Sequence, residues 1–207
     1  YVDIAEGPDR ELFSFIEAST TGDATKTGNT PKRAKLEIPV TGLALGVSGF
    51  PWAERWLELR FLFRLDAEVD CCLIPEPLAD STFGKARMLP GQATQWLRHL
   101  LLKLGVPADQ LRNIGSHSCK TTLLSVAAKG GISRDSRRTL GGHAVPGDAS
   151  VDCYSRDVLA APLLELAVLL KQIREGRFDP DASRSGRWRP SAVTTITGGH
   201  TKCVSCE

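Results

Sequence analysis

The apolar residues of this chain change their repeat once, near residue 50, and that change restricts the fold more than any other feature. Upstream, apolar β-formers alternate with polar residues, as in Leu36, Ile38 and Val40, which is the period of a half-buried strand. Residues 11–19 and 34–40 therefore predict two strands. The polar stretch between them, with Gly22, Asp23, Gly28, Asn29 and Pro31, predicts the tip of a hairpin. Asp3 and Ile4 add an edge strand to the same small antiparallel sheet. Downstream, Trp52, Trp56, Leu59 and Phe63 recur at helical spacing, predicting a helix over 51–65 with Pro51 at its first position. Three more follow: 91–104, with Ala93, Trp96, Leu97, Leu100, Leu101 and Leu104 on one face; 118–129, stopped by Gly130-Gly131; and 133–140, stopped by Gly141-Gly142. Ser133 is the expected N-cap of the last of these, with Asp135 in its first turn. The most hydrophobic helix is expected over 157–174. Residues 69–90, punctuated by Pro and Gly, read as loop. The expected fold class is α+β, mainly α, with a helical domain and a small N-terminal antiparallel sheet. The domain is expected over residues 1–176, followed by a disordered tail over 177–207.

Composition sets outer bounds. With 207 residues, 42% of them apolar, the chain can bury a core as one domain. Its longest strongly apolar stretch, 159–170, is interrupted by Pro162 and Glu165. That is far short of the ~20 residues of a membrane span, so no membrane partner is expected. Tyr1-Val2-Asp3-Ile4 lacks Met and reads like the interior of a strand, so the chain is expected to be a piece of a longer protein. The adjacent pair Cys71-Cys72 does not suit a secreted disulfide framework, and a reducing intracellular compartment is the expectation. Net charge is only +2, but between Arg112 and Arg138 six Lys and Arg face a single acid, Asp135. A solvated helix face has that pattern, and so does a phosphate-binding surface.

Chemistry-bearing residues cluster in the same region. Ile114-Gly-Ser-His117-Ser-Cys-Lys120 is followed by Leu140-Gly-Gly-His143 and then by Cys153-Tyr154-Ser155-Arg156. His143 lies 23 residues beyond Lys120, and Tyr154 a further 11 along. This order and spacing resembles the catalytic half of the tyrosine recombinases of the phage-integrase type, with their H-x-x-R, L-G-H and nucleophilic Tyr. Thr25-Lys26-Thr27-Gly28 at the expected hairpin tip is similar to the family's β-hairpin lysine motif, and Ile38-Pro39-Val40 to the strand after it. The resemblance spans roughly residues 1–175 and is greatest to recombinases of eukaryotic mobile elements.

The residue types suit that chemistry. Exchange of DNA phosphodiesters needs an oxygen nucleophile, cations on the non-bridging oxygens and a proton donor for the leaving 5′-oxygen. The resemblance implies Tyr154 as nucleophile, His117, Lys120 and His143 as phosphate ligands, and Lys26 as general acid. Lys32 and Lys35 compete with Lys26 for that role. Arg112, Lys129, Arg134, Arg137 and Arg138 are candidate DNA-backbone contacts. No metal or other cofactor is called for, because the phosphoester bond is conserved in the enzyme link. The implied partners are double-stranded DNA and further copies of the chain, as a tetramer on DNA. The implied location is the nucleus.

Each residue also has a plainer reading. Tyr154 can be a half-buried aromatic, His143 a residue at a helix end, Lys26 a solvated loop lysine, and Cys119 and Cys153 small buried apolar groups. Two departures from the family pattern stand out. Lys120 replaces the second arginine, keeping charge but losing the planar fork that grips two oxygens. The first arginine has no counterpart in its expected context and is expected to lie upstream of Tyr1. Both departures suit a second reading, a catalytically degraded DNA-binding remnant. A third is a protein-interaction module with a zinc-binding tail, since His200, Cys203 and Cys206 have zinc-like spacing but supply three ligands where a structural site takes four.

Overall fold

The computed structural model describes residues 2–6, 12–21, 37–65, 72–80, 82–143, 158–184 and 186–189. Among them the fold is α+β and mainly α. Strands β1 (Val2–Glu6), β2 (Leu12–Thr21) and β3 (Glu37–Leu43) form an antiparallel sheet in the order β1-β2-β3. Val2 pairs with Ile16, and Phe15 with Leu43. Pro39 is accommodated because β3 is an edge strand, where a missing N–H need not break a ladder.

The period of two distributes β2 over two packing layers. Phe13 and Phe15 are buried against Leu163 and Ala167, while Ile16, on the other face, is buried with Ala44 and Ala53. Ala53 belongs to helix α1 (Trp52–Leu62), so the sheet is covered on one face by α1 and on the other by the last helix. Arg60 of α1 is only 5% exposed. Its NH1 donates to the carbonyls of Cys72 (3.2 Å) and Leu73 (2.8 Å), and its guanidinium lies 4.8 Å above the Trp56 ring. A buried cation is tolerable there because carbonyl oxygens and a π-face replace its water.

The stretch read as loop holds a hairpin, β4 (Pro75–Pro77) with β5 (Phe83–Arg87). Its two prolines and Gly84 hide it from a pattern search. The turn is made by Asp80, whose Oδ1 accepts from the Thr82 N–H at 3.0 Å and hydroxyl at 2.5 Å, and these bonds hold the carboxyl below its ordinary pKa. Phe83 meets Phe63 edge-on, with ring centroids 5.1 Å apart. Helix α2 (Pro90–Lys103) follows, then a 3₁₀ turn (Gln110–Asn113), α3 (Ser116–Lys129), α4 (Arg134–Leu140) and α5 (Ala160–Arg174). The apolar face of α2 is largely open, and Leu104 at its end is 79% exposed.

The five helices among the described residues end by the same device. The chain enters the left-handed region at Arg64, Gly105, Gly131, Gly142 and Gly176, and the next N–H reaches back to a carbonyl of the last turn. At Gly130, just before one of these reversals, a Cβ would collide with the Leu169 side chain. The glycine pair there thus serves two ends, Gly131 turning the chain and Gly130 letting α5 pass close.

Helix α5 buries Pro162, Leu163, Leu166, Ala167, Leu169 and Leu170. Leu166, Leu169 and Leu170 pack with Ala127, Ile132 and Phe178. This corrects the expectation of a tail beginning at residue 177. Phe178 is 1% exposed, bridges to Trp188 in antiparallel fashion, and stacks on it with centroids 4.7 Å apart. The Asp179 N–H donates to the Arg187 carbonyl and the Arg189 N–H to the Arg177 carbonyl, both at 2.8 Å. Composition misled here because two aromatics, Phe178 and Trp188, are enough to seat a polar segment. Residues 190–207 lie outside the described residues. Replacing Phe178 by Ala should cost about 3–5 kcal/mol, the usual range for a large buried aromatic. Urea unfolding of the two proteins measures it, and a change below about 1 kcal/mol would mean that the segment contributes little to the core.

Candidate functional site

The His117–Lys120 turn is built from the loop upward. Residues 112–116 are held by α2: Arg98 Nε donates to the Ile114 carbonyl at 2.7 Å, and its NH2 to the Arg112 carbonyl at 2.9 Å. Thr94 Oγ1 accepts from the Ser116 N–H at 3.2 Å. The Ser118 hydroxyl accepts from the Gly115 N–H at 3.0 Å, closing the first turn of α3. These contacts start the helix at Ser116, two residues before the expected start, so His117 is helical. His117 is exposed and Lys120 half-buried. Three residues apart on one helix, they point to the same side.

Arg98 and Thr94 did not stand out in the sequence. The available signal was a cation in the Trp96-Leu97-Arg98 run, on an otherwise apolar stretch, but a solvated arginine has the same appearance.

Helix α4 begins as expected. Ser133 is its N-cap, accepting from the Ser136 N–H at 3.0 Å. The Ser136 hydroxyl donates to Glu165 of α5 at 3.1 Å, which fixes α4 on the core. At its far end the Gly142 N–H donates to the Thr139 carbonyl and the His143 N–H to the Arg138 carbonyl, both at 2.9 Å, with Gly142 at φ 61°. His143 is exposed immediately after this reversal.

The candidate residues fare differently. His117 and Lys120 share the first turns of α3, and His143 ends α4, the helix packed against α3. Among the described residues, no hydrogen bond or ion pair joins His143 to either. Tyr154 and Lys26, with Lys32 and Lys35, lie outside the described residues, as do Cys153, His200, Cys203 and Cys206. Arg112 and Arg134 are exposed, and Arg138 is half-buried.

Two of the five candidate DNA contacts have structural work. Lys129 Nζ donates to the Pro180 carbonyl at 2.8 Å, tying α3 to residues 177–189, and Arg137 Nε donates to the Ile132 carbonyl at 3.1 Å. In both cases the acceptor is a carbonyl outside the regular elements, Pro180 beyond α5 and Ile132 in the turn between α3 and α4. Cys119, expected to be buried, is an exposed free thiol. It follows Ser118 on the outer side of the helix, where the core does not reach. No helix among the described residues is long and apolar enough to cross a membrane.

No family model, no curated protein and no solved structure matches this chain.

Arg98 is the anchor on which the turn before His117 rests. Its replacement by Ala should lower stability by about 1–2 kcal/mol, since two charge-assisted bonds to carbonyls are lost. Amide hydrogen exchange should quicken first at residues 113–118. Unchanged protection there would show that the loop holds itself.

Proposed function

We propose that this chain is the catalytic domain of a tyrosine recombinase, which cuts and rejoins duplex DNA through a 3′-phosphotyrosine link. The observation that carries the reading is the setting of the spaced motif. His117-x-x-Lys120 opens one helix, and Leu140-Gly-Gly-His143 closes the next, which packs on the first. Tyr154 follows at a further 11 residues. An N-terminal antiparallel sheet and a mainly helical body agree with the same reading.

In this mechanism the Tyr154 hydroxyl attacks the scissile phosphorus. The bond to phosphorus forms as the hydroxyl proton passes to His117, the P–O5′ bond breaks, and the 5′-oxygen takes a proton from Lys26. His117, Lys120 and His143 offset the charge on the non-bridging oxygens, the kind of electrostatic help that dominates such transfers. A 5′-hydroxyl from another strand then attacks the phosphotyrosine and returns a proton to Lys26, while the tyrosine oxygen leaves with the proton held by His117, restoring the tyrosine and a phosphodiester. Exchange between two duplexes requires four such domains, hence a tetramer on DNA, and a DNA substrate together with the likeness to recombinases of eukaryotic mobile elements implies the nucleus. Lys120 in place of arginine favours a second reading, a DNA-binding remnant without strand cleavage.

A nicked suicide duplex separates the two. The recombinase reading expects a covalent protein–DNA adduct that is lost in Tyr154→Phe. Salt-dependent duplex binding with no adduct is the outcome of the second reading, and no duplex binding would sink both. The DNA-facing surface has its own test. Arg134→Ala should reduce the slope of log affinity against log salt by about 1, as for one lost phosphate contact. Lys129→Ala should leave that slope unchanged and lower thermal stability, because its ammonium is already bonded to the Pro180 carbonyl.

A further inference from the structure

Glycines at the helix ends of this protein have two different reasons to be glycine. Gly131 and Gly142 have φ of 89° and 61°, and a Cβ at either would meet nothing within 4 Å. Conformation alone selects glycine there. Gly141 is the opposite case. Its φ of −79° and ψ of −5° lie in the right-handed region open to any residue. Here the neighbour matters instead: a Cβ at 141 would lie 2.6 Å from Cδ2 and 3.1 Å from Nε2 of His143, so the ring would have to move, and 3.1 Å from the Arg137 carbonyl oxygen. The imidazole therefore fills the volume that an alanine methyl would take, lying back across the α-carbon two residues before it.

We propose that Gly141 is a positioning residue for His143, its bare α-carbon being the seat that sets the direction of the imidazole. This rests on the reading of His143 as a phosphate ligand, and it deepens that reading. The backbone of His143 is fixed independently by its N–H bond to the Arg138 carbonyl, so the ring has side-chain torsions to settle and a flat surface to settle on. A methyl on Gly141 removes that surface. The ring then rotates to another staggered position, because the end of a side chain yields more easily than the packed helix beneath it. A donor aimed even about 1 Å away from a transferring phosphoryl group loses most of its effect. Gly141 itself touches no substrate.

The test uses the whole chain labelled with ¹³C-histidine. It has four histidines, His99, His117, His143 and His200, and the His143 ring signal is the one lost in His143→Asn. Gly141→Ala should move that signal and leave those of His99 and His117 in place. Adduct formation on the nicked duplex should slow at least about tenfold, while duplex affinity stays within about twofold. Gly131→Ala, which strains a helix end without approaching the ring, should leave the His143 signal unmoved. Gly141→Ala should also lower Tm more in the native background than in the His143→Ala background, where only the approach to the Arg137 carbonyl remains. If Gly141→Ala alone does not fold, Gly141→Ala with His143→Ala should. An unmoved His143 signal, or an equal loss of Tm with and without the imidazole, overturns the proposal. A moved signal in a protein whose native form makes no adduct upholds the seat and removes the recombinase reading instead.

Discussion

Burial of α5 on two sides is the constraint from which the rest of this structure follows. Leu163 and Ala167 meet Phe13 and Phe15 of the sheet, whereas Leu166, Leu169 and Leu170 meet Ala127, Ile132 and Phe178. At about 1.5–3 kcal/mol for each large aliphatic side chain taken out of water, this one helix outweighs any polar contact in the molecule. It also joins parts that otherwise have little in common: the sheet, the α3–α4 corner and residues 177–189. A helix can pack on two sides only if its neighbours come close, and Gly130 permits this under Leu169. The end of α3 and the start of α4 are thereby referred to the same rod. The polar links are secondary and local. Glu175, at the end of α5, pairs with Lys171 and Arg177, and those bonds hold its carboxyl below the ordinary value. Its small contribution, on the surface, is present above the carboxylate range and fades as pH falls through the lowered pKa.

Much of this was legible because periodicity and punctuation agreed. The sheet, five helices, the Ser133 cap and the glycine stops all follow from spacing that has a direct structural meaning. The failures have physical reasons. The β4–β5 hairpin has prolines in one strand, and its turn depends on an aspartate side chain instead of an Asn-Gly or Asp-Gly pair. Residues 177–189 are polar in bulk, yet two aromatics ten residues apart fold them back. Lys129 and Arg137 looked like free cations because a sequence does not show which carbonyls lack donors. Within the candidate site, the places of Lys120 in a helix and of His143 after a glycine stop could be read in advance, whereas His117 fell just outside the expected helix. Their supports could not, since Arg98 and Thr94 act across about twenty residues of chain.

On the proposed recombinase reading, Lys120 stands where the resemblance expects an arginine, and this gives the detail at Gly141 its weight. A guanidinium fork fixes both the place and the angle of a phosphate, because two parallel bonds define a plane. An ammonium fixes neither angle nor plane. It supplies charge on a flexible stem, so the direction of the remaining donors has to come from groups whose own freedom is small. His117 is held in a helical turn that α2 pins from outside through Arg98 and Thr94. His143 has no such outside partner among the described residues and leaves a helix only seven residues long. What limits its ring is local: an N–H bonded to the Arg138 carbonyl, a left-handed Gly142, and a Gly141 without a side chain. An arginine-bearing site could tolerate a loosely aimed imidazole. On the proposed reading, a lysine-bearing site leaves that demand for geometry to the histidines, and the Leu140-Gly-Gly-His143 corner is where the backbone would meet it.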